Sequence, residues 1–223
     1  MEPFRRLSAP ALALPLANVD TDQLIPARFM KAPRSAGYGG FLLHDLRVDA
    51  DGAPVPGFPL NHPQATEART LVARRNFGAG SSREAAVYAL VDFGFRCVVA
   101  PSFGDIFAAN AVNNGLLPAT VPEADLEAIL ALMGEAPTTM DVDLESGTLA
   151  VSGRTFPFSV PETWRAKLLN GWDDIGLAQQ HAAAIAAFAR DRQRAHPWVI
   201  PAMSGPAAVP PQAQIPRPSP TQS

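Results

Sequence analysis

The chain reads as a mixed α/β fold, and three observations predict it. Short apolar or β-branched runs at 71–75 and 96–100 have the length and flanking turn residues of strands. Segments 82–92 and 103–114, which follow them, read as helices, so strand and helix alternate across connections of a few residues. That alternation is the pattern of a parallel βαβ unit. Downstream, runs at 140–144, 148–151 and 155–159 surround turn residues that include Glu145-Ser146-Gly147, and predict a small antiparallel meander.

Taken in chain order, the apolar run at 9–16 is interrupted by Pro10 and Pro15, and no small-residue cleavage site follows it, which argues against a secretory leader. Asn18-Val19-Asp20-Thr21-Asp22 clusters short polar side chains, the chemistry of an Asx-type turn; alternatively, one of its carboxylates orients a functional group elsewhere. Residues 34–63 are rich in glycine and proline and lack periodicity, and so long a loop in a small domain is usually functional or mobile. Gly94 and Gly115 stand where helices need a left-handed stop, with Pro118 shortly after the second. Pro122 starts a further helix over 123–133. A last helix is expected over 174–190, with Leu177, His181, Ala184, Ile185 and Phe188 on one face and His181 at the edge of the core. Residues 201–223 are dominated by Pro, Ala, Gln and Ser, with Arg217 the one charge. Such a segment cannot bury enough apolar surface to offset its ordering entropy, so the folded domain is expected over 1–200 and a disordered tail beyond it.

Bulk properties narrow the function. A chain of 223 residues with 47% hydrophobic and 17% charged side chains is sized and composed for one soluble domain. A net charge of −3 with no Lys/Arg run leaves no footprint for a nucleic acid backbone. No apolar stretch approaches a membrane span of about 20 residues, and the expected location is the cytoplasm. One cysteine, Cys97, excludes an internal disulfide, and His44, His62, His181 and His196 show no ligand spacing. No metal or cluster is expected in this chain.

The informative stretch is Asn76-Phe77-Gly78-Ala79-Gly80-Ser81-Ser82-Arg83-Glu84, a glycine-rich turn from strand to helix. Gly78 and Gly80 permit close backbone approach, and the free amides that open the next helix make an anion site beyond the strand ends. The turn lacks the Gly-Lys-Ser/Thr ending of a nucleotide loop, so a carboxylate or monophosphate fits better than a triphosphate. Ser81 with Glu84 also spells a capping box, a reading that needs no function. Arg83, expected in the first helical turn, opposes the helix dipole and suggests a fixed anionic partner. Ser102-Phe103-Gly104-Asp105 repeats the pattern, with Ser102 expected as a helix cap.

Together with Asn18 to Pro26, Ala100 to Phe107, Asn113 to Pro118, Asn170-Gly171, Asp174 to Leu177 and Gln180-His181, this stretch closely resembles the small-subunit family of 3-isopropylmalate dehydratase, in order and spacing from about residue 5 to 198. The resemblance implies a swivelling β/β/α domain like the last domain of aconitase. It further implies docking on a large subunit that carries an iron-sulfur cluster, and isomerisation of 2-isopropylmalate to 3-isopropylmalate in leucine biosynthesis by loss and re-addition of water. Carried onto this chain, it implies that Ser81 is the base that removes the carbon-bound proton and that Arg83 binds a substrate carboxylate. Ser82 lies beside them, and Asp22 supports the site. Arg34, in the loop matching the family's specificity region, is expected to hold a second carboxylate. Two positions depart from the usual family motif: Ala79 and Ala85 stand where cysteine and histidine are usual. The second departure leaves open a related hydro-lyase subunit for another 2-hydroxy di- or tricarboxylate, and the residues alone also fit a non-catalytic anion-binding module.

Overall fold

A nine-residue strand, β1 (Arg6–Leu14), runs through the middle of a seven-stranded sheet. The computed structural model describes residues 1–199, divided into a unit spanning Met1–Gln180 and a second beginning at His181. On one side of β1 lie β2 (Thr70–Ala73), β3 (Cys97–Ala100) and β4 (Leu117–Thr120), all parallel to their neighbours. On the other side lie β5 (Thr138–Asp143), β6 (Thr148–Val151) and β7 (Arg154–Pro157), all antiparallel. The parallel unit and the meander therefore share one sheet, in the order β4-β3-β2-β1-β5-β6-β7.

β1 and β4 are the strands the sequence analysis does not predict, and each contains a proline, Pro10 in the first and Pro118 in the second, which argues against a strand. The Pro10 carbonyl accepts from Arg69 N at 2.9 Å, whereas the parallel ladder to β2 begins only at Ala11 opposite Thr70. Amide and carbonyl of one strand residue point to the same side, so the missing donor faces the gap before β2 starts. Pro118 and Pro157 lie in β4 and β7, the two edge strands, where a missing donor costs little.

The helices are α1 (Thr21–Leu24), α2 (His44–Arg47), α3 (Glu84–Phe93), α4 (Asp105–Asn113), α5 (Glu123–Met133), α6 (Glu162–Asn170) and α7 (Asp174–Gln179) in the first unit, and α8 (Ala182–Ala195) in the second. Leu12, Leu71 and Val98 point to one face of the sheet, into a core completed by α3 and by Leu42, Leu43 and Leu60 of the long loop. Ala11, Val72 and Val99, their strand neighbours, point to the other, against Leu126 and Ile129 of α5. Burial on both faces is why these strands read as continuous apolar runs rather than alternating ones.

Two helical expectations are corrected. α3 begins at Glu84 rather than 82, and Arg83 occupies the N-cap position with extended backbone (φ −119°, ψ 100°), outside the first turn. The single helix expected over 174–190 is two, α7 and α8, separated at Gln180 and His181. His181 is the N-cap residue of α8 and is exposed, not at a core edge, and Ile185 (54%) and Phe188 (66%) are exposed as well. The expected tail at 201–223 lies outside the described residues.

An element junction missed from sequence is closed by Lys167 of α6, only 6% exposed. Its ammonium donates to Asn113 Oδ1 (3.1 Å) and to the Asp174 carboxylate, and Asn113 Nδ2 donates to the other Asp174 oxygen at 3.0 Å. A buried ammonium is tolerable only with such partners, so this closed triad ties α4, α6 and α7 together.

Candidate active site

Three loops leave the carboxyl ends of β1, β2 and β3 and run on side by side, which places their residues where open parallel sheets bind ligands. Gly78 N donates to Val19 O (2.7 Å), Thr21 N to Ala79 O (2.9 Å) and Asn18 N to Arg75 O (2.9 Å), joining the first loop to the second. Phe77 N donates to Ser102 O (3.0 Å) and Gly104 N to Phe77 O (2.9 Å), joining the second to the third. Isolated bridges at Asp20–Ala79 and Phe77–Phe103, both parallel, extend the sheet beyond its strands.

Side chains lock the same layer. Ser102 Oγ accepts from Asn76 N at 2.9 Å, and Asn76 Nδ2 donates to Asn18 Oδ1 at 3.0 Å. The expected cap by Ser102 is therefore not made: Gly104 is the N-cap residue of α4 and Ser102 serves the neighbouring loop instead. Gly78 (φ +71°) lies against the Phe107 ring, where a Cβ would come within 2.2 Å, and Gly104 lies against the Gly78 carbonyl, 2.5 Å from the place of a Cβ. Both positions require glycine. The Asx turn expected at Asn18 to Asp22 is a short helix with its own capping box, in which Asp20 Oδ1 accepts from Gln23 N (2.7 Å) and Gln23 Oε1 accepts from Asp20 N (3.0 Å).

On this platform Ser81 and Ser82 are exposed. The Ser81 carbonyl accepts from Thr21 Oγ1 at 3.0 Å, which fixes the backbone that carries the hydroxyl. The Ser81–Glu84 capping box is not formed, since no side chain caps α3. Ala86 N donates to Arg83 O at 3.1 Å, and no side chain takes the amides that open the helix before it. The Arg83 side chain, 20% exposed, makes an ion pair with Asp22, so the carboxylate cluster after β1 does orient the arginine of the motif. Thus Ser81, Ser82, Arg83 and Asp22 are gathered by two adjacent loops.

Arg34 is not held with them. Its guanidinium is paired with Asp92, at the other end of α3, with Nη2 2.7 Å from Oδ1. Glu84 and Asp92 are eight residues apart, about 12 Å along a helix axis. Arg34, expected to hold a second carboxylate, is thus engaged by a carboxylate of the chain itself. Ala85, in the first turn of α3, is half-buried and packs against the core.

Residues 1–124 match the aconitase C-terminal domain family. Relatives described as 3-isopropylmalate dehydratase small subunits match over far more: those of Cereibacter sphaeroides and Dinoroseobacter shibae are each 45% identical over 202 residues, covering 89% of this chain and all of theirs. The chain belongs to the 3-isopropylmalate dehydratase small-subunit family. A solved structure described as 3-isopropylmalate dehydratase from Methanocaldococcus jannaschii shares the fold, with a TM-score of 0.59 at 22% identity, over 82% of this chain and 98% of that one. Membership makes this a hydro-lyase subunit of the aconitase superfamily, and the mixed sheet agrees with the fold expected from the sequence.

This chain's own donors do not fit an iron-sulfur cluster. Cys97 is buried in β3, where loss of solvent pushes its thiol well above the usual range, the opposite of what a thiolate ligand needs. Among the described residues no group of three or more His, Cys, Asp or Glu side chains could hold a metal ion, and no helix is long and apolar enough to cross a membrane.

Proposed function

We propose that the chain is the small subunit of a 3-isopropylmalate dehydratase and interconverts 2- and 3-isopropylmalate in leucine biosynthesis, in the cytoplasm. It does so jointly with a large subunit that holds the iron-sulfur cluster. The observation that carries the reading is the exposed Ser81 two residues before the Asp22-held Arg83, on loops at the carboxyl ends of three parallel strands. Exposure matters because a second polypeptide must be able to close the site over these groups.

The substrate is a hydroxy-dicarboxylate, so dehydration asks for a carboxylate clamp, a base for the carbon-bound proton and assistance to the departing hydroxyl. Asp22 engages Arg83 through Nη1, and a guanidinium has five donors, so its other edge can take a substrate carboxylate in a bidentate pair. With Arg83 thus placed, the Ser81 oxygen two residues earlier takes the proton as an alkoxide and becomes the neutral hydroxyl. A serine alkoxide is costly at neutral pH, and its negative charge is offset by Arg83 and by the uncapped amides that open α3. Ser82 lies between them as a further hydrogen-bonding group for substrate. When bound in the partner, an iron-sulfur cluster would supply Lewis acidity toward the hydroxyl that leaves. Neither subunit alone completes this set.

The test is Ser81→Ala, co-expressed with the large subunit and assayed for interconversion of the two isopropylmalates. Assembly should be intact and turnover lower by about 10²- to 10⁴-fold, the range for losing a positioned base. Unchanged turnover would remove Ser81 from the mechanism.

A further inference from the structure

α3 is tied down at both ends by an Arg–Asp pair, and the two pairs belong to one closed ring. At its start, Arg83 is bound to Asp22 of α1. At its end, Asp92 accepts from Arg34 through both oxygens and from Tyr38 N at 2.7 Å, so this mostly buried carboxylate is fully occupied by the loop. Gly39 lies so close to the Asp92–Phe93 backbone that a Cβ would sit 2.7 Å from it. The loop then returns to α1, where Leu43 N donates to Leu24 O at 3.0 Å. Arg34 also lies over the Tyr88 ring, 4.4 Å from its centre. Glu84, Tyr88 and Asp92 follow one another at spacings of four, along a single stripe of α3.

We infer that Arg34 and Asp92 are positioning residues, whose pairing fixes α3 against the loop and α1 and thereby sets where Arg83 and Asp22 stand relative to Ser81. The idea rests on the proposed dehydratase reading and refines it: Arg34 acts through Asp92 and α3, not by touching substrate. A carboxylate that already receives three hydrogen bonds from the loop leaves its arginine oriented along the helix, and a small displacement of α3 moves Arg83 directly. A displaced Arg83 grips the substrate carboxylate less well in ground state and transition state alike, a loss that appears in KM.

The experiment is a double-mutant cycle on the assembled enzyme with Arg34→Gln, Asp92→Asn and both together. Each single variant should raise KM about tenfold with kcat within about threefold, and the double variant should be no worse than either. If Arg34→Gln raises KM while Asp92→Asn leaves it unchanged or lowers it, Arg34 is a substrate ligand and the inference is overturned. It is equally overturned if all three variants match the wild type. Amide hydrogen exchange on the full chain reads the same linkage without turnover. Asp92→Asn should speed exchange at Tyr38 and also at residues 84–86, while β2 and β3 stay protected. Exchange confined to the loop defeats the inference even if the wild-type pair shows no isomerase activity, an outcome that would separately defeat the dehydratase reading.

Discussion

Asp22 and Arg83 are 61 residues apart in sequence and form an ion pair across two loops that leave adjacent parallel strands. The pair is partly exposed, with side-chain exposures of 55% and 20%, so it contributes little to stability, about 1 kcal/mol or less. Its consequence is geometric: it sets the orientation of the guanidinium two residues after Ser81.

Asp22→Asn is therefore expected to separate stability from activity. The melting temperature of the chain should change by only a few degrees, whereas kcat/KM of the assembled enzyme falls by about ten- to a hundredfold through a freely rotating Arg83. Parallel thermal melts and steady-state kinetics check this, and a loss of both in proportion would mean that the pair is structural.

The two glycines of the motif should respond differently to alanine. Gly78→Ala adds a Cβ against Phe107 on top of a left-handed backbone and should cost about 3 kcal/mol or more. Gly80 (φ +93°) meets nothing closer than 3.6 Å, so Gly80→Ala carries the backbone cost alone, about 1–2 kcal/mol. Denaturant unfolding of both variants, compared at equal slope, measures the difference.

Ser102→Ala removes the acceptor of the Asn76 amide rather than a helix cap. A loss of about 1 kcal/mol is expected, with reduced turnover because the neighbouring loop carries Ser81. Were Ser102 a cap instead, the loss would appear as increased hydrogen exchange in the first turn of α4 with turnover unchanged.

The Lys167 triad predicts an acid limb. The Lys167 ammonium, then the Asn113 amide, hold the Asp174 carboxyl below its ordinary value. A carboxylate lowered on folding stabilises the protein above its unfolded value and loses that contribution as pH falls through the folded one. The wild-type melting temperature should thus drop below about pH 4. Asp174→Asn should be less stable at neutral pH by about 1–2 kcal/mol, since it leaves a buried ammonium with fewer partners, and should show a shallower acid limb. Melts from pH 7 to pH 2 give both quantities, and parallel curves for the two proteins would contradict the assignment.

Much of this architecture was legible before any coordinates. β2 and β3 announce themselves because strands covered on both faces are apolar throughout, and the meander does so through its turn residues. The glycine-rich motif marks its own turn, since Gly78 is needed for a close approach that no other residue survives. β1 was hidden by Pro10, whose missing donor is harmless only because β2 starts one residue further on. The break between α7 and α8 was equally hidden, as helical periodicity continues across Gln180 and His181 while the backbone does not.

For the site, the sequence by itself determined the residue types and their local backbone: two serines and an arginine after a turn that only glycine can make. Only the tertiary structure decided their partners. Ser81 and Ser102 both suit a helix N-cap chemically, yet neither caps one, because the neighbouring loop claims Ser102 and α3 starts too late for Ser81. Arg83 and Arg34 are equivalent cations in a sequence, and which carboxylate each meets depends on loops brought together across 61 and 58 residues of chain. Local propensity acts over a few bonds, whereas the pairing of charges waits on the sheet that carries their loops.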